Sequence, residues 1–256
     1  MSYQKMRKNL SKGQHFLIDQ AVLGKEIQIS NLSAEDRVLE IGAGNGILTK
    51  ELVKNTKEVL SFEIDKRYKE NLEEIKESFS NLNVIYDDAT RYSWKGCTKI
   101  VSNIPYYLGE KIIFKSIREE IPFLVLIVGE KFKKLLEENY SKSSIMANVF
   151  YDLDFVQKIK KSSFSPPPRV NSWLIKLVAK EADVSMNFLR FVLSRKGKIK
   201  NALIYGLVQE GKTKKVSKEI INSWNLDEFV LEKPVSKMTG TFIRNLFLLM
   251  GRERLK

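Results

Sequence analysis

Through the first two thirds of the chain, apolar positions come in short runs separated by charged stretches of helical spacing. Residues 37–41 form one such run: it begins just after Ser33-Ala34-Glu35-Asp36 and ends at a glycine cluster, which predicts a buried strand entering a tight turn. From Ile47 the apolar residues resume helical spacing through Leu48, Leu52 and Val53. Strand, glycine turn and helix open a βαβ unit. Runs at 59–64, 83–86, 99–102 and 123–128 predict further strands, with charged helices over 66–78 and 111–119 between them. Beyond the prolines at 166–168, residues 172–178 predict one more. This alternation implies an α/β protein whose mostly parallel sheet is covered by helices on both faces.

The pattern changes after 180–183. From Asn187 apolar residues fall at helical spacing (Phe188, Phe191, Val192, then Ala202, Leu203, Leu207) with lysines in the gaps, which predicts a small helical second domain. The expected division is therefore 1–180 and 181–256, without internal repeats or low-complexity tracts.

Composition narrows the class. A chain of 256 residues with 43% hydrophobic residues can bury a substantial core. No apolar run approaches the roughly 20 residues that span a bilayer. The first twelve residues are polar and basic, unlike a secretory leader, so the expected location is the cytoplasm and no membrane partner is expected. The single cysteine, Cys97, has no partner for a disulfide and no neighbours to complete a metal site, so no metal is expected. The formal charge of +13 and sequence pI near 9.6 are the footprint of a polyanion binder, nucleic acid or an anionic surface.

Glu40-Ile41-Gly42-Ala43-Gly44-Asn45-Gly46 lets the backbone turn sharply and approach a ligand, because glycine has no side chain and tolerates positive φ. Glu63, about twenty residues on, stands where an acid can accept from ribose hydroxyls. A dinucleotide site of the form G-x-G-x-x-G would need its third glycine at Ile47, which disfavours NAD. S-adenosylmethionine has no pyrophosphate, and methyltransferases commonly show the G-x-G-x-G spacing found here. Asp88 would accept from the cofactor's adenine amine, and Ala89 would offer a backbone donor. Taken alone, Asp88 is by default a turn acid or helix cap, and its place after a strand tip favours the ligand reading.

Asn103-Ile104-Pro105-Tyr106 follows the fourth strand, at its carboxyl end. Adenine N6 is a poor nucleophile because its lone pair is delocalised into the ring. The Asn103 side-chain oxygen and the Ile104 carbonyl could each accept one amino hydrogen and orient that pair; Pro105 stiffens the turn, and Tyr106 can stack on the base. Out of context, the four residues are simply a turn.

These residues resemble the ribosomal RNA adenine N6-dimethyltransferase family of the KsgA type. The likeness extends through Gly13-Gln14-His15-Phe16-Leu17, the 40–46 loop, Glu63-Ile64-Asp65, Asp88-Ala89, Asn103 to Tyr106, and Phe164-Ser165-Pro166-Pro167-Pro168-Arg169-Val170-Asn171-Ser172. It implies a Rossmann-like class I methyltransferase domain with a seven-stranded sheet, followed by a small helical, basic RNA-recognition domain. It also implies S-adenosylmethionine as cofactor. Gln14, His15 and Leu17 would border its methionine end, Gly42, Ala43 and Gly44 its loop, Glu63 and Ile64 its ribose side, and Asp88 and Ala89 its adenine. Asn103 would face both cofactor and amine, and Phe164 would stack on the target base opposite Tyr106.

The activity so implied is dimethylation of two adjacent adenines in the 3′-terminal hairpin loop of small-subunit ribosomal RNA, with a precursor of the small subunit as partner and a monomeric enzyme. Arg195, Lys196, Lys198 and Lys200, with Lys212, Lys214 and Lys215, would track phosphates. Three other readings compete: an Erm-type enzyme acting on large-subunit RNA, an assembly factor that keeps the fold without the chemistry, and a methyltransferase acting on another amine. Two departures from the family pattern stand out. Asp87 replaces a frequent glycine, and the stretch 129–132 lacks a glutamine usually found before its lysine.

Overall fold

The computed structural model describes residues 14–253; Gly13 and the basic stretch before it lie outside the described residues. In chain order the elements are β1 (Phe16–Leu17), α1 (Gln20–Ser30), β2 (Arg37–Ile41), α2 (Ile47–Val53), β3 (Glu58–Phe62), α3 (Lys69–Ser78), β4 (Leu82–Ile85), β5 (Lys99–Asn103), α4 (Gly109–Arg118), β6 (Phe123–Gly129), α5 (Glu130–Glu138), α6 (Lys142–Phe150), β7 (Tyr151–Ile159), β8 (Phe164–Ser165), β9 (Ser172–Ala179), α7 (Val184–Ser194), α8 (Ile199–Gln209), α9 (Lys214–Ser223), α10 (Glu228–Leu231) and α11 (Gly240–Glu253).

Seven strands form one sheet in the order β4-β3-β2-β5-β6-β9-β7. The pairs β4–β3, β3–β2, β2–β5 and β5–β6 are parallel, and β9 runs antiparallel to β6. This is the expected Rossmann-like arrangement, with the chain crossing from β4 to β5 over the sheet. Near-continuous apolar runs mark its central strands, since helices cover both faces: Val38, Leu39, Ile100, Val101, Leu124 and Val125 are completely buried. The crevice opens at the carboxyl ends of β2 and β5, where strand order reverses.

A separate two-stranded ladder pairs β1 with β8 antiparallel, setting Phe16 opposite Ser165 and Leu17 opposite Phe164. It joins the two most distant segments of the motif series. Asp19 then caps α1, accepting from the N–H groups of Ala21 and Val22, and Ser163 Oγ donates to its other oxygen at 2.8 Å.

The chain divides into two units. The larger runs up to Lys134 and includes Leu153–Val178; the smaller joins Leu135–Asp152 to everything from Ala179 onward. The boundary near 180 is close to the expected one, but the second unit is not a C-terminal extension alone. The reason lies in α6, which buries Ser143, Ser144, Ile145, Met146, Ala147 and Phe150, far more than one face. α11 starts close against it: a side chain at Gly240 would stand 2.7 Å from Ile145 Cδ1 and 3.0 Å from the carbonyl of Ser141, which caps α6. Within this unit α11 also packs on α7, α7 on α8 and α8 on α9.

Candidate active site

One cavity of about 270 Å³, near the lower end of the range for small-ligand pockets, is lined by Gln14, His15, Leu17, the 40–45 loop, Glu63, Ile64, Asp88, Ala89, Asn103 to Tyr106 and Phe164. Every residue of the larger unit named from the sequence as catalytic or cofactor-binding therefore borders the same space.

The glycine loop leaves β2 with Gly42, Gly44 and Gly46 all at positive φ (86°, 56° and 81°), a conformation other residues rarely adopt. At Gly44 a side chain would also drive into the Phe16 ring, 2.8 Å from where its Cβ would stand. The backbone N–H groups of Gly42 and Ala43 donate to Phe62 O, and that of Gly44 donates to Glu63 Oε2 at 2.8 Å. The other Glu63 oxygen accepts from Asp65 N–H at 2.7 Å. Burial raises the Glu63 carboxyl above its usual range, and these two backbone donors oppose the rise. Ile64 beside it is exposed, an apolar side chain on the rim of a polar crevice.

Glu40, at the end of β2, is buried and accepts from Thr49 Oγ1 at 2.7 Å and from Ser61 Oγ. Desolvation pushes its carboxyl up to about 7. It is a bracing group beneath the loop.

Asp88 caps the short 3₁₀ turn Ala89–Arg91, its Oδ1 accepting from Thr90 N–H and Thr90 Oγ1. The cap reading and the ligand reading thus both have a basis, because Oδ1 makes the cap and the residue borders the cavity. Asp87 is used locally, by Asp88 N–H, Arg91 and the Tyr92 hydroxyl.

At the end of β5, Asn103 is half-buried and its Oδ1 has no hydrogen-bond partner. A buried acceptor left unmade costs about 1–3 kcal/mol, and this one belongs to a residue that borders the cavity. Pro105 O accepts from Leu108 N–H at 2.9 Å, closing the turn. Tyr106 is fixed at both ends: its hydroxyl lies 2.6 Å from the Oγ of fully buried Ser172, and its ring lies against Gly129, where a side chain would come within 3.0 Å. His15 faces the same ring, centroids 6.1 Å apart and planes 25° from parallel, while its Nδ1 lies 2.8 Å from Pro166 O. Phe164 is only 4% exposed and packs in the apolar cluster with Leu17 and Ile127. It is a core aromatic that also borders the cavity, rather than an open platform.

Sequence reasoning missed the network that holds Gln14. Its Nε2 donates to Asp65 Oδ2 at 3.1 Å and its Oε1 accepts from Arg67 Nη2 at 3.0 Å, while Arg67 also clasps the Asp65 carboxylate. It also missed the contact of Tyr106 with Ser172, Lys111 on the cavity wall, and the burial of Glu26.

The predicted phosphate-tracking residues lie in the smaller unit. Arg195, Lys196, Lys198, Lys212, Lys214 and Lys215 are exposed, and Lys200 is half-buried. Two are engaged within the protein: Lys198 pairs with Glu232 at 2.6 Å, and the Arg195 guanidinium sits 4.4 Å from the Tyr205 ring centre. Among the described residues, no helix is long and apolar enough to cross a membrane.

A family model described as ribosomal RNA adenine dimethylase matches residues 5–236. The chain is 34% identical over 252 residues to the probable ribosomal RNA small subunit methyltransferase A of Methanococcus maripaludis, covering 91% of this chain and 96% of that one. It is 31% identical over 271 residues to the protein of the same description in Methanococcus aeolicus, covering 97% and 100%. Among solved structures it is similar to a dimethyladenosine transferase from Plasmodium falciparum, with TM-score 0.65, 26% identity and coverage of 93% and 98%. It is also similar to the 23S rRNA methyltransferase ErmE, with TM-score 0.62 and coverage of 92% and 99%; at 20% identity that likeness concerns the fold alone.

Proposed function

Because the chain belongs to the ribosomal RNA adenine dimethylase family, we propose that its cavity binds S-adenosylmethionine beside an adenine of small-subunit ribosomal RNA and dimethylates N6 of two adjacent adenines in the 3′-terminal hairpin loop. The observation that carries the site assignment is the buried, unpartnered Oδ1 of Asn103 on the wall that also holds the glycine loop and Glu63.

Bound there, S-adenosylmethionine supplies an electrophilic methyl group on a positively charged sulfur. The chain's own residues supply position. The Gly42, Ala43 and Gly44 backbone admits close approach, Glu63 accepts from ribose hydroxyls with a carboxylate already fixed by two N–H donors, and Ile64 offers an apolar surface to the adenine side. Asp88 and Ala89 pair with the adenine edge. Gln14, His15 and Leu17 border the methionine end, Gln14 being held by Asp65 and Arg67.

For the substrate, Asn103 Oδ1 and the Ile104 carbonyl accept the two amino hydrogens and turn the nitrogen lone pair out of conjugation. Pro105 and the Pro105–Leu108 turn keep both acceptors in place. Tyr106 supplies a ring face, with Phe164 as the apolar wall beyond it. The methylated nitrogen is acidic enough to lose its proton to water, so the scheme needs no general base. Catalysis rests on orientation and preorganised acceptors.

The choice of small-subunit RNA is supported by the descriptions of the relatives and by the 164–172 segment, since the fold is shared with the large-subunit enzyme ErmE. The cellular setting is the cytoplasm, with a precursor of the small subunit as partner, the enzyme acting as a monomer and without a metal. Labelled cofactor incubated with unmodified small subunits tests the reading. Wild type should transfer methyl groups, and Asn103→Ala should lose turnover by about 100-fold or more while cofactor affinity stays within about twofold. Transfer to naked large-subunit RNA alone would overturn the substrate assignment, and cofactor binding without transfer would favour the assembly-factor reading.

A further inference from the structure

Two rings that border the cavity, His15 and Tyr106, are each tied at one edge by a hydrogen bond to the same short segment, residues 166–172. His15 Nδ1 lies 2.8 Å from Pro166 O; a carbonyl only accepts, so this nitrogen carries a proton and donates. The Tyr106 hydroxyl lies 2.6 Å from Ser172 Oγ. The two ring planes are 25° from parallel and their centres 6.1 Å apart, in the upper part of the range for aromatic pairs. Both residues are half-buried. Gly129, paired with Ser172 across β6 and β9, backs Tyr106: a Cβ there would stand 3.0, 3.0 and 3.4 Å from ring atoms Cδ2, Cγ and Cδ1, which places it over a ring face. A base can therefore stack only on the other face. Phe164, 4% exposed in the core cluster, offers no broad second wall without leaving its packing.

We propose that the ring of His15 is that second wall: the target adenine lies between Tyr106 and His15, and residues 166–172 set the width of the slot by holding both rings. The inference rests on Tyr106 being the stacking face of the adenine site. Two stacking contacts of about 3.5 Å each need rings about 7 Å apart, so the 6.1 Å separation has to widen by about 1 Å. His15 is the ring that yields, since it is anchored through one nitrogen while Tyr106 is held at its hydroxyl and backed by Gly129. The imidazole carries this role, so the His15 backbone can still border the methionine end of the cofactor. Every base has a π-face, so the slot adds grip and orientation while the choice of an amino-bearing base stays with Asn103 and Ile104.

His15→Ala, His15→Phe and His15→Leu test this in the full chain, with Tyr106→Ala alongside. The readouts are steady-state methylation of unmodified small subunits, S-adenosylmethionine affinity by calorimetry, and thermal unfolding. H15A should lower kcat/KM for the subunit about tenfold or more with cofactor affinity within about twofold of wild type. H15F keeps a ring face and should stay within about threefold of wild type, although the bond to Pro166 is gone. H15L keeps bulk without the face, so it should fold as H15F does and lose activity as H15A does.

Wild-type kcat/KM in H15A, equal loss in H15A and H15F, H15L as active as H15F, or a fall in cofactor affinity that accounts for the whole loss in H15A would each overturn the proposal. If Y106A keeps full turnover, the stacking reading of the adenine site itself fails; if Y106A is impaired and H15A is not, only the role of His15 fails.

Discussion

Gly44 N–H donates to Glu63 Oε2 at 2.8 Å, so the glycine loop after β2 and the acid after β3 form one hydrogen-bonded unit before any ligand arrives. Glu63→Ala removes the acceptor of both the Gly44 and the Asp65 amides. Two buried donors left unmade should cost about 2 kcal/mol or more of stability, and S-adenosylmethionine affinity should fall at least about tenfold. Urea unfolding and calorimetry read the two effects separately. Unchanged affinity would remove Glu63 from the cofactor site.

Tyr106 is held by its hydroxyl, and in the proposed function it is used by its ring. Tyr106→Phe deletes the bond to Ser172 Oγ and should cost about 1 kcal/mol of stability while retaining most of the turnover. Tyr106→Ala should lose most of kcat/KM for RNA with little change in cofactor affinity, because the stacking face goes with the ring. If Phe is as damaging as Ala, the hydroxyl is what the reaction uses.

Folding should respond to pH in an unusual direction. Desolvation raises Glu26 to about 8 and Glu40 to about 7, from an unfolded value near 4.5. Between those limits the folded chain holds protons that the unfolded chain has released. The stabilisation is therefore complete below about pH 4.5 and is lost as pH rises through about 7 and then 8. The slope is up to about 1.4 kcal/mol per pH unit for each acid that remains neutral. Asp19, Asp36 and Glu119, whose values are lowered, act below this window. Unfolding midpoints at pH 5.5, 7 and 8.5 give the profile, and E26Q should flatten its upper end. A flat wild-type profile would mean that both acids are ionised in the folded protein.

The lysines of the smaller unit should matter unequally. Reversing Lys212, Lys214 and Lys215 to glutamate should weaken RNA binding across sequences and reduce the slope of log K against log salt, while cofactor affinity stays constant. Lys198→Ala should do less, since its ammonium is already paired with Glu232. Filter binding over a salt series distinguishes them, and equal effects at every lysine would point to bulk charge alone.

Much of this was legible in the sequence where pattern and spacing are local. The run 37–41, its glycines and Glu63 stand in line along the chain, and the parallel strands betray themselves by continuous apolar runs. β7 escaped notice because it is the edge strand: Asp152, Asp154, Gln157 and Lys158 interrupt its apolar positions, and half of it stays exposed. Glu26 was invisible for the opposite reason, since a glutamate at helical spacing looks solvated and only packing against the sheet reveals that it is buried. The Gln14–Asp65–Arg67 network and the Tyr106–Ser172 pair join residues far apart in sequence, which no periodicity reports. Phe164 was singled out by the resemblance alone; its depth is what an apolar aromatic ordinarily shows, and it borders the cavity from within the core.

The β1–β8 ladder has a kinetic meaning as well as a geometric one. It is only two residues long on each strand and closes a loop that contains nearly the whole sheet. A pairing that short cannot repay the entropy of such a closure until the sheet between has formed, so it belongs among the last events of folding. The register that sets Leu17 opposite Phe164, and with it the last corner of the core, therefore closes after the sheet it spans.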